Sequence, residues 1–181
     1  VQDGWYYNMA TILRGDDNFD TAIAQKALVQ THLTTTSSQS VSANTRTNIS
    51  GLNATITPST TSKRIKITVR WNGEYSHVSN HASVFGIKRD TTDVGNPAAA
   101  GSRFVGLAII AQGYWNSDAS STPDSTTYSY IDSPATTSAT TYHATFLQEN
   151  TGTLYNQRTV SDTDLTSRER LTSTIILEEI D

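Results

Sequence analysis

The chain has 181 residues, a length that fits one domain able to bury roughly 70% of its unfolded surface. Its hydrophobic share of 35% is low and Ser and Thr fill more than a quarter of its positions, but a net charge of −4 is too small for a chain kept disordered by self-repulsion. The same acidic balance excludes a partner that needs a basic field, which sets nucleic acid aside, and the absence of cysteine excludes disulfides and thiolate metal sites.

The opening, VQDGWYYNMA, lacks the basic and apolar regions of a signal peptide, so a secreted form would need another route or a leader already removed. Trp5, Tyr6 and Tyr7 are candidate anchoring residues, able to grip a partner or fold back on the domain. In "GDDNFD", Asp16, Asn18 and Asp20 stand at the first three ligand positions of a calcium loop. Thr21 replaces the expected glycine and no glutamate closes the loop, so an acidic turn is the better reading.

"DTAIAQKALVQ" reads two ways. Asp20 or Thr21 can cap a short helix with apolar residues at 23, 24, 27 and 28, or the segment enters a strand through Leu28, Gln30 and His32. "RTNISGLNATIT" then places Leu52, Ala54 and Ile56 in strand phase, and "TPSTTS" with Pro58 is a turn. "SKRIKITVRW" alternates without a fault. Ile65, Ile67, Val69 and Trp71 share one face and Arg64, Lys66, Thr68 and Arg70 the other, the pattern of a half-buried strand.

His77 and His81 in "HVSNH" have the spacing that pairs imidazoles on a helix. On strand or loop, four residues span about 13 Å, so this spacing implies no zinc site. "SRFVGLAIIAQ" is apolar on both faces, with Phe104, Ala108 and Ile110 opposed to Val105, Leu107 and Ile109. The flanking Gly101 and Gly113 favour a doubly buried strand over a short helix, one that needs a second sheet or another subunit against it. Tyr114 and Trp115 follow at the mouth of a long polar loop and are candidate receptor contacts, although they could also close the preceding strand.

The later chain is more regular. "STTYSYID" pairs Tyr128 with Tyr130, and "IDSPATTSATTYHATF" resolves into strand end, Pro134 turn and new strand with Tyr142, Ala144 and Phe146 on one face. It is therefore no mucin-like spacer. "ENTGTLYNQR" adds a turn and a short strand. In "SDTDLTSRE", Asp162, Asp164 and Glu169 have only fragmentary metal spacing and stand close to Arg168 and Arg170, which favours surface ion pairs. "RLTSTIILEEI" sets Leu171, Ser173, Ile175 and Leu177 against Ile176 and Ile180, a final strand covered on both sides. Seven or more short strands between polar turns make an all-β antiparallel sandwich or jelly roll. No repeat, no dividing linker and no apolar run of membrane-spanning length is present.

Taken in order, "ALVQTHLTTTSSQS", "ISGLNATITPSTTSKRIKITV", "YIDSPATTSATTYHATF", "LYNQR" and "TSTIILEEI" resemble a family of bacteriophage tail-fibre and head-fibre proteins common in phages of aquatic bacteria. The resemblance spans residues 27–181 and implies one jelly-roll domain, like that of tumour necrosis factor, assembling as a homotrimer on the virion surface. It implies no catalytic residue, cofactor or metal. Residues 1–26 lie outside it and read as an N-terminal arm for anchoring.

The expected function is thus a non-enzymatic tail-fibre component, in contact with other virion proteins and a host-surface glycan or protein. The alternatives are a capsid decoration or head-fibre protein, and a carbohydrate-binding module or glycan-active enzyme. Against an enzyme, the chain has no G-x-S-x-G elbow.

Overall fold

A computed structural model describes residues 27–76, 82–110, 121 and 123–181. Every regular element among them is a β-strand, and the ten strands form two antiparallel sheets packed as a sandwich. Among the described residues no helix is long and apolar enough to cross a membrane.

The strand Arg64–Tyr75 (β4) organises the first sheet. Its inward row, Ile65, Ile67, Val69 and Trp71, is wholly buried, whereas Arg64 and Arg70 are exposed and Lys66 and Thr68 half-buried. The period-two alternation therefore sorts the side chains as expected. Both edges of β4 are paired. Asp124–Asp132 (β7) runs along one edge from Gly73 to Ile65, and Ser173–Ile180 (β10) runs along the other from Arg70 to Arg64. Where β10 stops, Gly152–Asn156 (β9) continues along that edge and pairs with Gly73–Tyr75. Leu28–Leu33 (β1) closes β10, and Ser37–Val41 (β2) closes β9.

The second sheet has the order β3-β8-β5-β6, formed by Thr47–Ile56 (β3), Thr140–Gln148 (β8), Ser83–Arg89 (β5) and Thr92–Val94 (β6). The β3–β8 register slips between Asn48 and Asn53, at Gly51, whose φ of +77 places it in the left-handed region that glycine enters at least cost. Leu52, Ala54 and Ile56 of β3 and Tyr142, Ala144 and Phe146 of β8 meet the inward row of β4. Phe85 sits at the centre, with ring centroids 5.0 Å from Trp71, 5.1 Å from Phe146 and 6.1 Å from Tyr128, all tilted as aromatic quadrupoles prefer.

With β2 and β9 set aside, the remaining strands are ordered first, eighth, third, sixth in one sheet and second, seventh, fourth, fifth in the other. The underlying pairs are nested: β1 with β10, β3 with β8, β4 with β7, β5 with β6. Among the described strands the innermost of these nested pairs is the β5–β6 hairpin.

Two readings of the sequence need correction. Residues 101–110 do not form a strand apolar on both faces. They run irregularly, touch β5 through one bridge between Ala108 and Phe85, and leave Ile109 63% exposed. Gly106 explains the path, because a Cβ there would stand 2.6 Å from the Phe85 carbonyl oxygen and 2.8 Å from Val84 Cβ. The segment passes too close to β5 to lie as a sheet partner with side chains on both faces. Second, β10 is covered on one side only, with Ile176 and Ile180 half-buried on the other. Its inward row ends in a carboxylate that the alternation did not single out, Glu179, which is 2% exposed. Leu28–Leu33 takes the strand alternative, with Leu28, Gln30 and His32 outward.

Candidate functional site

The aromatic candidates Trp5, Tyr6, Tyr7, Tyr114 and Trp115 lie outside the described residues, as do His77, His81, Asp16, Asn18 and Asp20. Among the described residues no group of three or more His, Asp or Glu side chains could hold a metal ion. In the loop after β9, Asp162 pairs with Arg158 at 3.5 Å and with Arg170. Arg168 instead donates to the Ser167 carbonyl, and Arg158 also stacks over Tyr155, 4.6 Å from the ring centroid. Of the ion pairs the sequence suggests here, Asp162–Arg170 forms, and Arg158 joins it as a partner that spacing did not single out.

Three buried carboxylates, Glu179, Asp132 and Glu74, are held by specific donors. Glu179 accepts from the Ser59 backbone N–H and hydroxyl, both at 2.6 Å, which ties the β3–β4 turn to the last strand. Asp132 accepts from Arg89 and from the Tyr142 hydroxyl, each at 2.8 Å. Burial, reinforced by that carboxylate, pushes the Tyr142 phenol well above its ordinary value. Glu74 accepts from the Val160 N–H at 2.7 Å. Each carboxylate thus carries hydrogen bonds that fix a turn or a strand end.

A second polar set lies under the first sheet's far end. Trp71 Nε1 donates to Asn156 Oδ1 at 2.8 Å, and the Ser173 hydroxyl accepts from Gln157 Nε2 and the Asn72 N–H at 2.8 and 2.9 Å. These groups bond one another where β10 hands its edge of β4 to β9, a structural task, and leave only the buried Gln157 Oε1 of the set without a protein partner.

An open groove of about 450 Å³ remains at one corner, lined by Asn44, Ala82, Ser102, Arg103, Phe104 and Glu149. Four chain segments build it, with Ala82 leading into β5. Asn44 sits in the β2–β3 turn with φ of 56°, and its N–H donates to the Gln148 carbonyl at 2.8 Å. Glu149 follows β8, with its N–H on the Ala82 carbonyl at 3.2 Å. Ser102, Arg103 and Phe104 come from the irregular segment, and the Arg103 guanidinium donates to the Ala100 carbonyl at 3.1 Å.

Arg46 holds that segment in place. One of its terminal nitrogens donates to the Val105 carbonyl, the other to the Thr145 hydroxyl at 3.1 Å, and its Nε lies 3.4 Å from Asp93. Burial lowers the Arg46 pKa from the usual guanidinium value, with Asp93 opposing. Leu107 N–H and the Phe85 carbonyl, then Phe85 N–H and the Ala108 carbonyl, add two bonds of 2.7 Å. Beside Glu149, two buried amide donors, Gln148 Nε2 and Asn150 Nδ2, find no protein partner, an unusual concentration of unspent polarity.

Sequence reasoning did not find this groove. Its lining residues are scattered from position 44 to 149, and no linear motif joins them. The one available signal is the pair Arg103–Phe104, separated from Gly101 by Ser102 alone. No protein-family model matches the chain, and no curated protein matches it either.

Proposed function

We propose that the chain is a non-enzymatic structural protein on the surface of a bacteriophage virion, a tail-fibre component that contributes to host attachment. In this reading the domain is a jelly roll like that of tumour necrosis factor and assembles as a homotrimer with other virion proteins at its base.

The observation that carries the reading is the nested pairing of the eight main strands, the connectivity of a doubled ribbon rolled into two sheets. Two further features support the oligomer. The outer face of the first sheet carries half-buried Ile176 and Ile180, with exposed Leu28 and Ile131 at its flanks, in a chain without disulfides. A threefold copy covering part of that face would stabilise the domain by mass action. The low charge and hydroxyl-rich composition suit repeated weak adhesion, which threefold display strengthens by roughly 10²–10⁴ in favourable geometry.

Sedimentation of the full chain at micromolar concentration tests the assembly. The expected species has three times the 19.7 kDa chain mass. A monodisperse monomer would remove the trimer, and with it the avidity argument.

A further inference from the structure

We propose that the segment 1–26 docks on the outer face of the first sheet of its own chain, held by opposite charge and aromatic contact. The inference goes beyond the virion reading and does not depend on it.

The strand registers lay out that face. Leu28, Glu178, Lys66 and Ile131 stand opposite one another on β1, β10, β4 and β7, one outward row across the sheet. Leu28 is 62% exposed and Ile131 45%, so the row begins and ends on uncovered apolar side chains. Among the described residues four large apolar side chains are exposed, and two of them end this row. The next row sets half-buried Ile176 between Gln30 and Thr68. Lys66 and Glu178 pair at 2.7 Å in the middle of the first row, and Arg64 and Arg70 stand exposed to either side along β4. On β4 and β10 the outward positions thus hold three cations and one carboxylate, a surplus of two positive charges.

The point of entry and the charge name the occupant. The Ala27 carbonyl accepts from the Glu179 N–H at 2.9 Å, so the chain joins the first sheet at β1, beside outward Leu28 and Glu178. Crossing the face from β1 to β7 takes three strand spacings, roughly 14 Å. About five extended residues cover that distance. The segment 1–26 carries Asp3, Asp16, Asp17 and Asp20 against Arg14 and Lys26, a surplus of two negative charges opposite to that of the face.

Aromatic residues add to the match. Trp5, Tyr6 and Tyr7 supply rings suited to a surface where cations stand beside aliphatic side chains. A bare second copy brings the same cations and is repelled, so in a trimer the segment would form the layer between neighbouring copies. Tethering favours it further. A linked segment acts at an effective concentration on the order of millimolar and needs little intrinsic affinity.

The chain has no cysteine, so one introduced Cys can carry a nitroxide at a chosen place in the full chain. Thr68→Cys puts the label on the outer face of the first sheet, and Thr55→Cys puts it on the outer face of the second. Circular dichroism checks that each variant keeps the wild-type fold. The Trp5, Tyr6 and Tyr7 NMR signals should broaden strongly with the label at 68 and little with the label at 55. Arg64→Glu combined with Arg70→Glu should remove most of that broadening, and added salt should weaken it, as for exposed charges. No broadening from position 68, equal broadening from both positions, or broadening unchanged by the charge reversal would overturn the proposal. A mixture of isotope-labelled chains without nitroxide and nitroxide-bearing chains without isotope separates one chain from two. Broadening should be much weaker in the mixture. Equally strong broadening there would assign the contact to a neighbouring copy and overturn docking within the chain.

Discussion

β4 and the segment 101–110 are both rich in apolar side chains, yet the fold uses them in opposite ways. β4 is paired on both edges over most of its length, and its buried row meets the second sheet. The segment 101–110 has one isolated bridge, a glycine pressed against β5 and a guanidinium holding one of its carbonyls. Alternation with charged residues gives β4 a single register, because a slip by one position would bury Arg64, Lys66 and Arg70. The other segment has apolar residues on both faces, so no register is preferred and local close approach decides its path. The consequence is a division of labour within the fold: the rigid ladder forms the scaffold, and the strapped segment supplies walls to the groove.

The sharpest way to break the contrast is to damage the ladder. Ile67→Asp places a carboxylate in a fully buried row without a partner and should unfold the domain, at a cost of several kcal/mol. Circular dichroism at 25 °C should show loss of the β signal. A folded variant with unchanged melting would mean that this row is not the core.

Next in size is an alkaline effect on the core between the sheets. Burial pushes the Tyr128 and Tyr142 phenols well above their ordinary 10.0, and Tyr75 up to about 12. The unfolded chain releases these protons first, so stability is fully present below pH 10 and falls as pH rises. A fully buried tyrosine contributes a slope of about 1.4 kcal/mol per pH unit. Urea midpoints at pH 9, 10 and 11 should fall progressively, and Tyr128→Phe should flatten the slope. A pH-independent midpoint would contradict the burial of these rings.

Gly106→Ala tests the strapped side. Its Cβ would meet β5 backbone, so the expected cost is about 2 kcal/mol together with displacement of residues 103–108. Hydrogen exchange should rise at Leu107 in the variant while β4 amides stay protected, because local opening draws on the weaker region. Uniform loss of protection in both would show that the two regions unfold as one.

The smallest effect concerns His143. Burial lowers its pKa from 6.5, helped by Lys88 and opposed by Asp90. The unfolded chain therefore takes up the proton first, and stability declines as pH falls below about 6.5. His143→Gln should remove a shallow slope between pH 6.5 and 5. An identical slope in the variant would assign it to other groups.

The sequence made the ladder legible because one physical rule dominates there. Alternation places Ile65, Tyr142 and Ile175 inward without knowledge of their partners, and the observed burial follows it. It was silent where the partner decides. Glu179 continues an apolar row yet is buried because Ser59, 120 positions away, donates two hydrogen bonds to it. Thr145 falls on an outward phase but is buried, with Arg46 donating to its hydroxyl. The groove is the extreme case, since only the folded chain brings Asn44 and Glu149 to the same corner as Phe104.

Immunogold electron microscopy of intact particles with antibody to this chain tests the central claim most directly. The account predicts discrete label on the outside of the virion at the tail fibres, at copy numbers in multiples of three. Label over the capsid would transfer the same protein to a decoration role, and particles without label, with the chain free in infected cells, would contradict the account.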